Sequence, residues 1–258
     1  MILIDSHSHL FLEEFNSDRV DVFKRADEVG VRYHVMPNVD SSTSKQLIEV
    51  SEKFSQCFPL MGLHPTSVKT DFELEIDHVE QMLNKHTFIG IGEIGIDLYW
   101  DKTYFEEQKV AFKHQLNLAK RLNLPVVIHS RNSFDEIFEI VDQEIDSSLR
   151  GVFHCFSGTI EQYKHIQDYK SFKVGIGGVV TYKNGGLDNV LKHVDIKNIL
   201  LETDSPYLSP VPVRGKRNES YNLIYIAIKI AEILGMSVQD VAKQTFENTQ
   251  EIFKLPIP

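Results

Sequence analysis

The sequence predicts an α/β fold, a (β/α)8 barrel in which residues 1–258 form a single domain. Two observations predict it: eight short apolar runs recur along the chain, and segments with helical punctuation separate them. Several runs are apolar nearly throughout, as expected for parallel strands covered on both faces. Strand and helix alternation over about 250 residues is typical of this barrel. A doubly wound open sheet is the alternative, but it normally carries a Gly-rich turn where this chain has His7 and His9.

The predicted strands have the lengths of ordinary strands in globular proteins. They comprise residues 2–6, 32–37, 58–63, 87–94, 125–129, 151–155, 172–176 and 198–203.

Helix punctuation supports the intervening elements. Residues 17–29 begin at a Ser17 or Asp18 cap and stop before Gly30, a residue common at helix C-termini. Residues 106–122 carry apolar side chains at helical spacing. Two further helix starts have the spacing of capping boxes, namely Ser133 with Glu136 and Ser237 with Asp240.

Composition narrows the class of protein. The 258 residues are 42% hydrophobic and 25% charged, which is ordinary for a globular protein. We see no apolar run long enough for a transmembrane helix and no basic flank of a signal peptide. Cys57 and Cys155 lie in dissimilar contexts, so we expect a reducing, cytoplasmic setting rather than a disulfide. The net charge of −10 argues against coating nucleic acid through a general basic field, but not against an enzyme acting on it locally.

The first apolar run ends in the sequence MILIDSHSHL, where Asp5, His7 and His9 alternate. Side chains two apart in a strand share a face, so we expect these three to point the same way. Two adjacent imidazoles repel when both are protonated, and a bound metal ion favours their neutral forms. A half-buried pair hydrogen-bonded to water is the simpler alternative for this motif alone.

Other predicted strands also end in side chains that bind metals. His64 follows the third run, and the ends of the fourth, fifth, sixth and eighth carry Glu93, His129, His154 and Asp204. Because barrel active sites form at the C-terminal face, we expect these side chains to converge. Imidazole and carboxylate bind zinc, manganese, iron and cobalt, and carboxylates also suit magnesium. The candidates are too many for one tetrahedral ion with an open position, and they suit two. Asp5 would then either orient one imidazole or make a local hydrogen bond.

The chain resembles the TatD family of metal-dependent hydrolases, a branch of the amidohydrolase-like barrels. The resemblance runs nearly end to end through the motifs IDSHSHL, GLHP, GIGEIGID, PVVIHSR, FHCFSG, LLETDSPYL and RGKRNE, in that order. It implies two divalent ions of uncertain identity, among Zn, Mn, Mg and Co. One would be held by His7, His9 and Asp204, the other by His129 and His154, with Glu93 bridging.

The resemblance also bears on the branch of the superfamily. Many related barrels bridge their metals with a carbamylated lysine, whereas Glu93 stands in that place here. This favours the TatD-like branch over dihydroorotase-like or urease-like enzymes. Ser220 departs from the family pattern, in which a proline is expected after RGKRNE.

The activity implied by the resemblance is that of a deoxyribonuclease, a 3′–5′ exonuclease acting on single-stranded or frayed 3′ DNA ends, and on RNA as an alternative substrate. Asp204 and Glu93 would be the catalytic residues, with Asp204 as metal ligand and proton acceptor. We expect binding to long duplex DNA to be weak and strongly salt-sensitive.

Residues near the strand ends are candidates for substrate binding. Basic side chains could meet phosphates, and aromatic side chains could stack on bases. The basic candidates are Arg131, Arg214, Lys216 and Arg217, and the aromatic candidates are Tyr99, Trp100 and Phe156. A solvated loop and ordinary loop packing are the competing interpretations. His64 either contacts substrate or caps its own turn.

Two other functions remain open at this point. The same metals could hydrolyse an ester or amide, such as an aminoacyl ester on tRNA or a small lactone. Alternatively, the barrel could bind metal without catalysis, although a structural site would normally be closed.

Overall fold

A computed structural model describes residues 1–183 and 185–257 of the chain. All strand pairings in it are parallel. The strands are β1 (Leu3–Asp5), β2 (Val31–Pro37), β3 (Cys57–Leu60), β4 (Ile91–Asp97), β5 (Val126–Arg131), β6 (Gly151–Phe153), β7 (Phe172–Ile176) and β8 (Ile199–Leu201).

Helices alternate with these strands and cover them. They are α1 (Arg19–Glu28), α2 (Ser41–Lys53), α3 (Phe72–Lys85), α4 (Phe105–Leu122), α5 (Phe134–Glu144), α6 (Ile160–Asp168), α7 (Leu187–Leu191), α8 (Leu223–Leu234) and α9 (Val238–Phe253).

The strands form a ring. Continuous ladders join β1 to β3 and β4 to β8, in sequential order. Single parallel bridges connect the two ladders at both seams: Met61 pairs with Ile91 between β3 and β4, and Ser8 pairs with Ser205 just beyond β1 and β8. The predicted (β/α)8 barrel is therefore confirmed, and the C-terminal ends of all strands open on one face.

Two apolar clusters stabilise the barrel. The larger lies between strands and helices, and the smaller joins strand residues to the C-terminal part of the chain. Successive strand residues belong to different clusters: Leu3 lies in the larger and Ile4 in the smaller, with Ile252 and Phe253 of α9. This two-sided burial explains why the strands are apolar without alternation. Among the described residues no individual helix could cross a membrane by length and apolar character, although the bent pair Ser220–Leu234 and Val238–Phe253 passes that test jointly.

Both predicted helix positions are confirmed, whereas only one of the two capping interactions predicted at Ser133 and Ser237 is present. The predicted helices 17–29 and 106–122 appear as α1 and α4. Ser237 caps α9 by accepting a hydrogen bond from the Asp240 N–H at 3.0 Å. The capping box predicted at Ser133 is wrong, because its hydroxyl donates to the Ile96 carbonyl at 2.6 Å and so ties the start of α5 to β4.

Candidate metal centre

Glu93, the third residue of β4, lies between two groups of histidines. Its Oε2 is 3.0 Å from His7 Nε2 and 3.6 Å from His9 Nε2. Its Oε1 is 2.7 Å from His129 Nδ1 and 3.0 Å from His154 Nε2. The barrel thus brings the predicted histidines of β1, β5 and β6 to one carboxylate, and each carboxylate oxygen faces a different pair.

Glycines in β4 allow this close convergence. Gly95 has a φ of 145° and pairs with His129 in the β4–β5 ladder. A Cβ on Gly95 would lie 2.0 Å from the His129 carbonyl oxygen. Any side chain at position 95 would therefore push β5 away and separate His129 from Glu93.

Asp204 completes the group on the β1 side. Its Oδ1 lies 3.6 Å from both His7 Nε2 and His9 Nε2. Asp204 adopts a left-handed backbone with φ 57°, and its N–H donates to the His7 carbonyl at 2.9 Å. Non-glycine residues with such a φ concentrate at functional sites, where the surrounding structure holds them. One hydrogen bond thus keeps this acid beside the two histidines.

The donor set fits a divalent cation. The donor atoms of His7, His9 and Asp204 lie within 4.8 Å of one another. Burial by itself raises the pKa of Glu93, but the charge of the neighbouring His154 and the hydrogen bond from His129 outweigh it and hold that pKa well below its usual range. Burial lowers the pKa of His7, which favours a neutral imidazole with a free lone pair. Hydrogen bonds to Asp204 and Glu93 outweigh burial and raise the pKa of His9 to about 9, and the charge of Glu93 raises the pKa of His154, so an ion that binds these two rings displaces a proton. Ionised carboxylate and neutral imidazole are the ligand forms that metals require.

The protonation of His129 and His154 can be inferred from their second nitrogens. His129 Nε2 lies 2.9 Å from Asp97 Oδ2, and His154 Nδ1 lies 3.2 Å from Glu202 Oε1. Because an ionised carboxylate only accepts, each of these nitrogens carries a hydrogen. The nitrogens that face Glu93 are then the unprotonated ones when the rings are neutral, and they are available to ligate a metal.

His64 has the opposite arrangement. Its Nδ1 accepts a hydrogen bond from the Thr66 N–H at 3.2 Å, so its Nε2 carries the hydrogen in the neutral ring. That Nε2 lies 3.2 Å from Glu93 Oε1, to which it donates. His64 therefore caps its own turn, as one interpretation predicted, and it also lines the site, whereas its contact with substrate stays a prediction. Its partners make it a hydrogen-bond donor rather than a ligand.

Asp97 and Glu202 are the site residues that sequence reasoning missed. Both are buried, at 1% and 0% exposure, and both stand inside motifs already recognised, GIGEIGID and LLETDSP. The sequence did contain a signal for them, because each is an acid within an apolar strand. Acidic side chains are rarely buried without a partner, so a partner at the site could have been expected.

Asp5 has a different role from the imidazole contact considered above. It accepts hydrogen bonds from the Thr203 N–H at 2.9 Å and from the Ser220 hydroxyl at 2.6 Å, and it does not contact His7 or His9. Burial raises its pKa to about 7. Neither expectation describes it fully: Asp5 orients no imidazole, and its hydrogen bonds are long-range rather than local, because they link β1 to the segments that follow β8. Ser220, which replaces the proline expected there, supplies one of these hydrogen bonds.

A two-lobed cavity opens at the site, each lobe about 550 Å³ in volume. Both lobes are lined by His129, His154 and Asp204. One lobe is bordered by Trp100 and Tyr207, whereas the other runs along the N-terminal ends of α5 and α6. A substrate can therefore extend to either side of the candidate ligands.

Arg131 and Trp100 line this cavity, and Tyr99 packs beside both of them. The Arg131 guanidinium is 4.1 Å from the Tyr99 ring centroid and 5.7 Å from that of Trp100. The two aromatic residues are 52% and 69% exposed, which is unusual for large apolar side chains. Phe156 is 1% exposed and packs edge-on against Phe134, so the base-stacking role considered for Phe156 is wrong.

The remaining basic candidates lie away from the cavity lining. Arg214 stacks over the Tyr182 ring at 4.2 Å, and Arg217 makes paired hydrogen bonds of 2.8 and 2.7 Å to Asp18. Neither they nor Lys216 belong to the described residues that line the two lobes. Their contact with substrate stays a prediction.

The Asp18–Arg217 pair makes stability depend on pH. Hydrogen bonds from Arg217, and secondarily from Arg25, lower the pKa of Asp18 from 3.8 to about 2. Because the folded pKa is below the unfolded one, this stabilisation is present above about pH 4 and is lost as the pH falls towards 2. We expect Asp18→Asn to lower the melting temperature near neutral pH, with a difference from the natural protein that shrinks between pH 4 and 2.

Thermal unfolding followed by circular dichroism from pH 2 to 7 measures this difference. Asp21→Asn is the matched control, because it alters an exposed ion pair with Lys24 on the same helix. A difference between Asp18→Asn and the natural protein that stays constant with pH would contradict the prediction.

Comparison with known proteins identifies the family. Residues 4–254 match the family described as TatD related DNase. An uncharacterized metal-dependent hydrolase of Bacillus subtilis, YabD, is 32% identical over 255 residues, which cover 98% of this chain and 100% of YabD. The crystal structure of YjjV, a TatD homologue from Escherichia coli, superposes with a TM-score of 0.93 at 27% identity and 98% coverage of both chains. A TatD-family hydrolase from Entamoeba histolytica shares the fold, with a TM-score of 0.85, 23% identity and 98% coverage of both chains.

The family match covers nearly the whole chain, and the residues that converge on Glu93 are those of the motifs that suggested the resemblance. Histidine and carboxylate donors suited to divalent metal lie where a barrel hydrolase needs them. The chain belongs to the TatD family of metal-dependent hydrolases.

Proposed function

We propose that this hydrolase is a two-ion deoxyribonuclease that removes nucleotides from the 3′ end of single-stranded DNA. The observation that carries the two-ion arrangement is the position of Glu93, whose two oxygens face separate donor sets. His7, His9 and Asp204 would hold one ion, and His129 and His154 would hold the other. Two ions held there would stabilise both the attacking and the leaving oxygen of an in-line displacement at phosphorus.

The chain's own residues would position the reaction. Two divalent ions supply Lewis acidity towards a phosphoryl oxygen and lower the pKa of a bound water. The carboxylate of Asp204, which borders both cavity lobes, would accept the proton that the attacking water releases. His64 Nε2, which carries a hydrogen, would donate a hydrogen bond to the substrate phosphate or to Glu93.

The side chains at the edge of the cavity favour a nucleic acid as the substrate. The exposed rings of Tyr99 and Trp100 offer faces on which bases can stack, and Arg131 beside them can pair with a phosphate. A single-stranded end supplies both an unpaired base and a phosphodiester. The acidic chain, with a net charge of −10, restricts attraction to this local cation and the bound metals.

Digestion of labelled oligonucleotides tests the proposal. Metal-free protein is supplied with Mg²⁺, Mn²⁺, Zn²⁺ or Co²⁺ and is given single-stranded DNA carrying a 5′ or a 3′ label, with aminoacyl-tRNA and simple esters in parallel. We expect stepwise shortening of the 5′-labelled strand. Preferred cleavage of the aminoacyl ester or of simple esters would favour an ester hydrolase. If none of these substrates were hydrolysed with any of the four metals, the barrel would be non-catalytic.

Removal of the exposed indole tests the aromatic contact. We expect Trp100→Ala to raise KM for a single-stranded oligonucleotide about 5- to 150-fold, since stacking on a base is worth about 1–3 kcal/mol. The kcat should change little, because stacking is equally present in the ground state and the transition state.

Two comparisons keep this result specific. Trp100→Phe retains a ring and should lose less affinity than the alanine variant. An oligonucleotide with abasic 3′-terminal positions should bind the natural protein and Trp100→Ala equally. If Trp100→Ala weakened binding of the abasic oligonucleotide as much as binding of the intact one, base stacking would be excluded as the role of Trp100.

A further inference from the structure

The two halves of the candidate metal centre have different outer hydrogen bonds. On the β5–β6 side, Asp97 supports His129 and Glu202 supports His154, at the 2.9 and 3.2 Å distances given above. Both carboxylates are buried, so they interact with these rings in a medium of low dielectric constant.

Each of these carboxylates is itself held in place. Asp97 Oδ1 accepts the N–H groups of Tyr99 and Trp100 at 2.9 and 3.0 Å. Glu202 Oε1 also accepts the Cys155 N–H, whereas Glu202 Oε2 is buried and has no hydrogen-bond partner among the described residues. Space for Glu202 exists because residue 175 is glycine: a Cβ there would lie 2.0 Å from Glu202 Oε2. The orientation of both supporting groups is therefore determined by the backbone around them.

The β1 side has no such support. The Nδ1 atoms of His7 and His9 are buried, and neither has a hydrogen-bond partner among the described residues. When these rings ligate through Nε2, each Nδ1 carries a buried hydrogen without an acceptor, which costs free energy. Nothing bonded to Nδ1 fixes the rotation of either ring or raises its basicity.

We propose that Asp97 and Glu202 are positioning residues that make the centre asymmetric, so that the His129–His154 half binds its ion first and tightly and the His7–His9–Asp204 half binds second and weakly. The inference rests on the two-ion arrangement proposed above but is independent of which bond is hydrolysed. Outer carboxylates of this kind typically contribute about 10- to 100-fold to metal affinity. The second ion is then the one that exchanges with the medium.

Titration of metal-free protein with Co²⁺ tests this inference without any activity measurement. Calorimetry and visible absorption should show two equivalents, the first at least about tenfold tighter than the second. Glu202→Gln and Asp97→Asn should each weaken the first step about 10- to 100-fold and change the second little. His9→Ala should abolish the weaker step and leave the tighter one in place.

Controls separate a local effect from a general one. Glu80→Gln removes a carboxylate that lies 2.7 Å from His114 Nε2 at the surface, and should leave both steps unchanged. Circular dichroism confirms folding, and the two positioning variants test the same step independently.

Three results would overturn the inference. They are equal affinity of the two equivalents, loss of the tighter step in His9→Ala, and an unchanged first step in both folded positioning variants. Binding of one equivalent by the natural protein would instead refute the two-ion arrangement, and the order of loading would fall with it.

Discussion

Glu93→Gln is expected to retain the fold, to bind no more than one divalent ion tightly and to lose hydrolytic activity by about 10³-fold or more. The reason is that the amide cannot place an anionic oxygen before both donor sets, whereas Glu93 faces His7 with one oxygen and His129 with the other. A bound metal contributes several kcal/mol to the transition state, and each 1.4 kcal/mol is about tenfold in rate. Metal analysis after gel filtration, together with kcat/KM for a single-stranded oligonucleotide, measures both effects.

A surface acid serves as control for this prediction. Asp142 is an exposed residue of α5 that lies 2.9 Å from His165 Nε2, and Asp142→Asn should keep full metal content and activity. If Glu93→Gln bound two ions as firmly as the natural protein, the bridging role of Glu93 would be wrong.

Asp204→Asn is expected to lower kcat by about 10²- to 10⁴-fold, the usual contribution of a general base. Asparagine keeps an oxygen beside His7 and His9 but cannot accept a proton. Burial raises the pKa of Asp204, but its hydrogen bonding to His9 and the charge of His154 outweigh this and lower it, so the natural side chain is ionised. KM should change less than kcat, since the proton is transferred only in the transition state.

Metal content decides how the Asp204→Asn result is interpreted. Loss of activity with both ions retained supports the proton-accepting role, whereas loss of one ion assigns the effect to ligation. A variant that bound both ions and turned over at the natural rate would remove the general-base assignment.

The aromatic edge of the cavity and the metal centre are connected through one side chain. Asp97 accepts from His129 with one oxygen and from the Tyr99 and Trp100 backbone with the other. We therefore expect Asp97→Asn to affect substrate affinity as well as metal affinity, whereas Glu202→Gln, which has no contact with that loop, should affect the metal alone. This difference distinguishes the two supporting carboxylates.

Several features could be predicted from the sequence because they depend on local pattern. The period and apolar content of the runs predicted the strands, and 172–176 coincides with β7 residue for residue. The convergence of the six candidate ligands followed from one topological rule, that the ends of parallel barrel strands meet on one face, although β4 continues past Glu93 to Asp97. Predicting that residues at strand ends converge required no knowledge of how their side chains are oriented.

Tertiary structure decided the partners of each side chain. Asp5 shares the alternating pattern of His7 and His9 but binds Thr203 and Ser220, because the β1–β8 seam brings those residues closer. Phe156 follows a strand end as Tyr99 does, yet it is packed into the core.

The partners of Asp97 and Glu202 likewise could not be predicted from the sequence. The barrel and the residues that meet at its mouth could be predicted from the chain alone, since apolar periodicity and strand order are properties of the sequence. Only the folded structure decided which nitrogen of each imidazole faces Glu93 and which has a carboxylate behind it. Those contacts join residues 32 and 48 positions apart, and their geometry depends on how neighbouring strands pack.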